Sequence, residues 1–143
     1  MSHARHRLSG RITVPLPPAE AFTLFTPRGE ERWVKGWQPR FPSGGTDDTE
    51  PGTVFETGTG DETTTWVVIA RDPGHRVSYA RTTPGSRAGT VTVSLKPAEE
   101  GTEVEVAYDL TALTPEAEAG LAEFATGYPA FLQSWEEAIK AVL

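Results

Sequence analysis

The chain has no cysteine among its 143 residues. This absence excludes disulfide bonds, thiolate nucleophiles, and zinc or iron–sulfur sites that are held by cysteine. No apolar run approaches the roughly 20 residues that a membrane-spanning helix needs, and residues 1–10 lack the apolar core of a signal peptide. The sequence therefore predicts a protein without a membrane-spanning segment, and the cytoplasm is the expected compartment.

Positive charge is also scarce, because 13 Lys and Arg residues stand against 20 Asp and Glu residues, a net charge of -7. Nucleic acids and anionic membranes attract proteins through basic patches, whereas the arginines here are scattered along the chain. We therefore expect neither nucleic-acid binding nor membrane insertion. Arg5 and Arg7 precede an acidic remainder, and residues 1–7 are interpreted as a flexible, solvated arm.

Turn-forming residues divide the middle of the chain at nearly even intervals. Clusters rich in glycine, proline and acidic residues separate runs of strand length. Turns about every ten residues, with no helical periodicity between them, are typical of antiparallel strands joined by hairpins. The predicted strands cover residues 8–15, 53–57, 63–71, 75–83, 87–97 and 102–112, with a short edge strand near residues 40–41.

In the last two of these strands, apolar residues alternate with polar residues. Val91 and Val93 share one face in the first, and Val104, Val106 and Tyr108 share one face in the second, while hydroxyl or acidic side chains occupy most of the other face. A period of two predicts a sheet with one buried face and one solvated face.

Helical signals follow the first strand and close the chain. Two short helices are predicted, one starting at the prolines of residues 17–18 and one capped by Thr26. A long C-terminal helix is predicted from Thr114, with a bend between residues 125 and 131 because Gly127 and Pro129 interrupt it. Its apolar stripe consists of Leu121, Phe124, Tyr128, Phe131, Trp135, Ile139 and Val142.

The order of elements predicts an α+β fold in which a curved antiparallel meander of six to seven strands wraps around the long C-terminal helix. A twisted sheet must curl about the one helix that is long enough to cover its buried face. Large side chains must then either fill the space between sheet and helix as a dry core or line it as a ligand cavity. A set of aromatic residues is compatible with both. That set consists of Trp33, Trp37, Phe55, Trp66, Tyr79, Phe124, Tyr128 and Phe131, whereas Trp135 and Ile139 are interpreted as plain core.

Four stretches of sequence, taken in this order of elements, resemble the START-like (SRPBCC) superfamily of polyketide cyclase/dehydrase and lipid-transport proteins. They are residues 12–22, 33–39, 51–55 and 113–137. The resemblance covers residues 8–143 as a single domain and implies a helix-grip fold with a deep cavity between the sheet and the C-terminal helix. Members bind lipids, sterols, polyketides or plant hormones, a few are enzymes, and one branch activates a chaperone. The superfamily has no shared catalytic residue.

Given this resemblance, we expect a ligand cavity walled by Trp66, Tyr79, Phe124 and Tyr128, with Trp33 or Trp37 near its mouth. Arg81 shares a strand face with Tyr79. A buried Arg81 would need a partner or would anchor a ligand carboxylate or hydroxyl, whereas at the strand's end it could extend into water. The predicted ligand-binding residues are Trp33, Trp37, Phe55, Trp66, Tyr79, Arg81, Phe124, Tyr128 and Phe131.

Patterns for catalysis, metals and cofactors are weak. His75 follows a turn, His3 and His6 lie in the expected arm without a third ligand, and residues 58–60 lack the third glycine of a dinucleotide loop. The sequence thus predicts no catalytic residue, no metal and no cofactor.

The leading hypothesis is a protein that binds a small hydrophobic or amphipathic molecule, lipid-like or polyketide-like, between the sheet and the C-terminal helix. One alternative is a polyketide cyclase or dehydratase on the same scaffold, in which Tyr79 or Arg81 would polarise a carbonyl. Another is a protein-interaction module similar to the chaperone-activating branch, which would use the outer face of the sheet.

Overall fold

The computed structural model describes residues 3–58 and 60–143, without the side chain at position 61, and in these residues the chain forms a six-stranded antiparallel sheet. The strand order in the sheet is β1-β6-β5-β4-β3-β2, so every hairpin joins neighbours and the first strand closes the far edge. The predicted α+β helix-grip architecture is confirmed. The strands are β1 (Arg5–Val14), β2 (Val54–Thr57), β3 (Thr64–Asp72), β4 (Arg76–Thr83), β5 (Arg87–Ala98) and β6 (Gly101–Ala112).

The first strand starts earlier than expected. Arg5 already pairs with Thr111 of β6, and its guanidinium donates to both carboxylate oxygens of Asp109, at 2.9 and 2.7 Å. The arm predicted for residues 1–7 is therefore wrong for residues 5–7, because pairing with β6 and this ion pair hold them in the sheet. His6 lies in the same strand, whereas residues 1–2 are outside the described part of the chain.

The segment between β1 and β2 contains short helical pieces, as predicted, but only the first of them is an α-helix. Helix α1 (Pro18–Phe22) is followed by two 3₁₀ turns, Thr23–Phe25 and Gly29–Arg32. Thr26 accepts a hydrogen bond from the amide of Gly29 through its hydroxyl, at 2.9 Å, so the predicted cap starts a 3₁₀ turn instead of an α-helix. The expected edge strand is a single bridge between Arg40 and Glu56.

The C-terminal helix is divided in two, at the place where the sequence predicts a bend. Helix α2 (Pro115–Thr126) and helix α3 (Tyr128–Val142) meet at Gly127, whose φ is -87° and ψ is 6°. Pro129 lies in the first turn of α3, where its missing amide leaves no hydrogen bond unmade. Within residues 3–58 and 60–143, no helix is both long enough and apolar enough to cross a membrane.

The helices cover the inner face of the sheet, and the core lies between them. Helix α3 approaches β1 closely because Gly10 has no side chain, and a Cβ there would lie 2.5 Å from Cδ1 of Leu132. Leu121 and Ile139 from the two helices are completely buried, as are Val14, Val104 and several other inward residues of the strands. Side chains do not completely fill the space over the inner face near β3 and β4, where a cavity remains.

Candidate functional site

A partly open cavity of about 180 Å³, here named the inner cavity, lies between the sheet and the helical segments. It is more enclosed than the grooves on the outer face of the sheet, which are bordered by charged side chains such as Arg11 and Glu105. From the strands, its lining consists of Trp66, Tyr79, Arg81, Val91, Val93 and Tyr108. From the helical segments and their loop, its lining consists of Phe25, Glu30, Val34, Trp37, Phe131 and Trp135.

Strand alternation and register bring the β4 side chains into the inner cavity. Tyr79 and Arg81 point inward with the completely buried Val77, as their spacing of two requires. Arg81 pairs with Trp66 on β3, and the carbon of its guanidinium lies 5.0 Å from the centre of the indole ring. This distance is within the range of a cation–π interaction.

Hydrogen bonds hold three aromatic rings in the wall. The indole nitrogen of Trp37 donates to the carbonyl of Pro27 at 2.7 Å, and that of Trp66 donates to the Thr57 hydroxyl at 2.9 Å. The hydroxyl of Tyr79 donates to the carbonyl of Phe25 at 2.9 Å. Since these polar atoms are engaged by the protein, the three residues offer mainly apolar ring surface to the cavity.

Arg81 is the main polar group on the β4 side of the inner cavity. Its Nη2 donates to the Thr83 hydroxyl at 3.0 Å, whereas its Nε is buried and has no hydrogen-bond partner in the described residues. Burial lowers the pKa of Arg81, although a guanidinium keeps its charge at any physiological pH. The sequence left open whether the Arg81 side chain is buried or extends into water. In the structure it lines the inner cavity.

Glu30 and Tyr108 add two further polar groups. Burial raises the pKa of Glu30 well above its usual range, although the residue keeps part of its surface exposed. Burial also raises the pKa of Tyr108, and the negative charge of Glu30 raises it further while Arg81 lowers it. The Tyr108 hydroxyl is therefore within electrostatic reach of both charged residues. Among the described residues, neither Glu30 nor Tyr108 makes a side-chain hydrogen bond to the protein.

Of the nine residues that the sequence predicted as ligand-binding, five line the inner cavity and four do not. Trp37, Trp66, Tyr79, Arg81 and Phe131 line the inner cavity. Their contact with a ligand stays a prediction, since the geometry alone does not test binding.

The other four predicted residues lie outside the lining. Trp33 packs beneath Trp135, with ring centres 5.1 Å apart, and Phe55 stacks behind Trp66 at 5.7 Å. Phe124 and Tyr128 contact Tyr108 from the side away from the cavity.

Three features of the site differ from the sequence-based interpretation. Trp135, interpreted as plain core, lines the inner cavity from α3, the helix that follows the break at Gly127. Tyr108, Val91 and Val93 were assigned to the buried face by alternation, but nothing local marked them as cavity residues. Glu30 gave no signal, because an acidic residue in a first helical turn is ordinarily solvated.

A curved antiparallel sheet that wraps a C-terminal helix around an internal cavity defines the helix-grip class of proteins. A sequence profile of the family described as polyketide cyclase / dehydrase and lipid transport matches residues 5–139. The chain belongs to this family. No curated protein sequence matches the chain.

Several solved structures share the fold at low sequence identity. An uncharacterized protein from Rhizobium leguminosarum is 17% identical with a TM-score of 0.72, over 98% of this chain and 97% of its own. A Mesorhizobium loti protein is 18% identical with a TM-score of 0.69, over 96% of this chain and 99% of its own. DynU16, from the dynemicin biosynthetic locus, is 19% identical with a TM-score of 0.64 over 94% of this chain, which spans 47% of DynU16. At these identities the similarity shows the fold alone.

Proposed function

We propose that this protein binds a small amphipathic molecule in the inner cavity. The observation that carries the proposal is a preformed space whose aromatic wall is held open by hydrogen bonds of Trp37, Trp66 and Tyr79 to the protein itself. Protein interiors normally pack without voids, so a cavity maintained next to completely buried core residues favours a ligand site. The description of the family, which includes lipid transport, supports the same function.

The composition of the lining supports an amphipathic ligand over a purely apolar one. Most of the wall is aromatic or aliphatic, while Glu30, Arg81 and Tyr108 face the same space. Ligand sites commonly combine an apolar lining with a few polar groups that orient the ligand. An apolar body would contact the rings, and a polar group would bind one of the three polar side chains.

Binding can be tested by NMR with p-cresol, a small neutral aromatic probe. We expect the indole N–H signals of Trp37 and Trp66 to shift on titration, because both rings line or border the probe's site. In a Val91→Phe variant the larger side chain fills the cavity, and the shifts should disappear while the protein remains folded. Thr90→Phe, on the outer face of the same strand, is the matched control and should leave the shifts intact. Unchanged indole signals at millimolar p-cresol would contradict the proposal.

Acid–base catalysis is a second candidate function, and Glu30 is the observation that favours it. A carboxyl group with a raised pKa, close to Tyr108 and sharing a cavity with a guanidinium, is a common arrangement for proton transfer. A carbonyl oxygen bound to Arg81 would acidify the adjacent C–H, and Glu30 in its ionised form, at a pH above its raised pKa, would accept that proton.

This candidate predicts exchange of the methyl hydrogens of acetophenone for deuterium in D₂O, measured by proton NMR. The Glu30→Gln variant should still bind acetophenone but lose the exchange. A rate equal to that of buffer for the unmodified protein would argue against catalysis and leave the binding function in place.

A further inference from the structure

We infer that the ligand of the inner cavity is a monocyclic carboxylic acid, whose carboxylate binds Arg81 and whose ring lies among Trp37, Trp66 and Phe131. This inference rests on the proposed binding function and names the chemical class of its ligand. It depends on three independent features of the site: an uncompensated cation, a limited volume, and further polar groups in the same lining that do not form an ion pair with that cation.

The first feature is the absence of a counter-ion for Arg81. Other arginines of the described chain, such as Arg5 and Arg71, lie within 4 Å of a carboxylate, but no acidic side chain of the described residues lies that close to Arg81. Its Nε is buried without a partner, and Thr83 accepts its one side-chain hydrogen bond within the described residues. A buried, unpaired charge is costly, and a carboxylate would supply both the charge and paired hydrogen bonds.

The second feature is the volume of about 180 Å³. An apolar cavity of about 150 Å³ is known to hold a benzene ring, so this space fits one ring with one or two polar substituents. A long-chain lipid or a fused multi-ring polyketide would require the wall to move. That movement would break hydrogen bonds such as those of Trp66 and Tyr79 to the protein.

The third feature is the position of Glu30 and Tyr108. Among the described residues no ion pair within 4 Å joins Glu30 and Arg81, although both line the cavity, so it holds a carboxyl group that does not neutralise the guanidinium. Because burial raises the pKa of Glu30, this carboxyl repels a ligand carboxylate at Arg81 less than a solvated glutamate would. A hydroxyl group on the ring could bind to Glu30 or Tyr108. Ring-hydroxylated acids should therefore bind more tightly than the unsubstituted acid.

Calorimetric titration with matched probes tests this inference. Benzoate and 4-hydroxybenzoate are compared with benzamide and 4-hydroxybenzamide, which have the same shape without the charge, and with dodecanoate as a long-chain acid. We expect each aromatic acid to bind at least about tenfold more tightly than its amide, and 4-hydroxybenzoate to be the tightest. Arg81→Gln should reduce acid affinity to that of the amide, and Arg81→Lys should restore part of it.

The control variant is Arg76→Gln, which removes an exposed arginine at the start of the same strand and should leave all affinities unchanged. Thermal melting of each variant shows whether it is folded. If the amides and p-cresol bind as well as the acids, the ligand class is wrong and the binding function stands. If dodecanoate binds more tightly than the aromatic acids, the ligand class is again wrong. If no probe binds and p-cresol leaves the indole signals unchanged, the binding function is wrong as well.

Discussion

Two tyrosines on facing elements have different roles, although they touch each other. The rings of Tyr108 and Tyr128 meet edge to face with centres 5.8 Å apart. Tyr128 donates its hydroxyl hydrogen to the carbonyl of Val106 at 2.6 Å and is 3% exposed. Tyr108 is 7% exposed and lines the inner cavity. The Tyr128 hydroxyl is thus engaged by the sheet, whereas the Tyr108 ring borders the cavity.

This difference predicts opposite effects of the same substitution. Tyr128→Phe should lower the free energy of unfolding by about 0.5–1.5 kcal/mol, because it removes the buried hydrogen bond from the Tyr128 hydroxyl to the Val106 carbonyl, and should not change p-cresol binding. Tyr108→Phe should leave stability nearly unchanged and alter the binding of ring-hydroxylated probes. Urea unfolding and calorimetry provide the two measurements. Equal stability losses in both variants would contradict the assignment.

Tyr128→Ala should behave as a core substitution and cost about 3–5 kcal/mol. From the sequence, this variant was expected to weaken ligand binding more than stability, since Tyr128 was assigned to the cavity wall. The structure reverses that expectation, because Tyr128 packs on Tyr108 and Phe124 behind the wall.

The raised pKa of Glu30 predicts how the free energy of unfolding depends on pH. Because burial raises its pKa in the folded state above the ordinary value of 4.5, the folded protein binds this proton more tightly than the unfolded chain does. Its contribution to stability is therefore complete below 4.5 and is lost as the pH rises through the folded-state pKa. Tyr79, Tyr108, Arg81 and Asp48 are the other charged or titratable groups whose fields reach this region.

We expect Glu30→Gln to be more stable than the unmodified protein at neutral pH and to show a flatter profile. Melting temperatures measured between about pH 4 and 9 test this expectation. Glu31→Gln, an exposed neighbour in the same turn, is the control and should follow the unmodified protein. Parallel profiles for Glu30→Gln and the unmodified protein would show that the carboxyl is fully solvated.

At the scale of elements, the two C-terminal helices supply a large share of the core. Leu121, Tyr128, Leu132 and Ile139 are each at most 3% exposed. Burying a side chain of this size contributes about 1.5–3 kcal/mol, and a whole domain is stable by only about 5–15 kcal/mol. The sheet cannot lose this contribution and remain folded.

A chain that ends at Leu113 should therefore show no cooperative unfolding transition by circular dichroism and should aggregate. Removing Val142 and Leu143, which are both exposed, is the control and should change the free energy of unfolding by less than about 0.5 kcal/mol. A soluble, cooperatively unfolding truncation at Leu113 would mean that the helices are peripheral to the fold.

At the scale of the whole molecule, the first and last strands join the two ends of the sequence. Strand β1 pairs with β6 along its whole length, from Arg5 with Thr111 to Val14 with Thr102, and α3 packs across β1. Loss of either end would uncover the same core. The chain should therefore behave as one cooperative unit.

We predict a single two-state transition in urea, with coincident curves from far-ultraviolet circular dichroism and tryptophan fluorescence. Trp37, Trp66 and Trp135 line the inner cavity, so fluorescence reports on that region while circular dichroism reports on the sheet and helices. A probe at 100 times its Kd should raise the stability by about 2.7 kcal/mol and move both curves together. Separate transitions would show that the cavity region unfolds independently.

The strands and helices could be predicted from the sequence because their signals are local. Alternation in residues such as Val91, Val93 and Val104 follows directly from the pleat of a strand, and Pro129 cannot lie inside a continuous helix without interrupting it, so it falls in the first turn of α3. Strand limits agree with the prediction to within a few residues, apart from the early start of β1 at Arg5. The order of these elements was enough to predict a curved meander wrapped around the C-terminal helix, and the resemblance to the START-like superfamily implied the helix-grip fold.

The composition of the site was decided by tertiary structure. Alternation placed Tyr79 and Arg81 on the inner face, but whether an inward ring lines a void or fills it depends on contacts between residues far apart in the sequence. Phe124 and Trp135 belong to one helical stripe, yet only Trp135 reaches the inner cavity after the break at Gly127. Glu30 enters the site because a 3₁₀ turn carries it over the sheet, and no local pattern of sequence encodes that position.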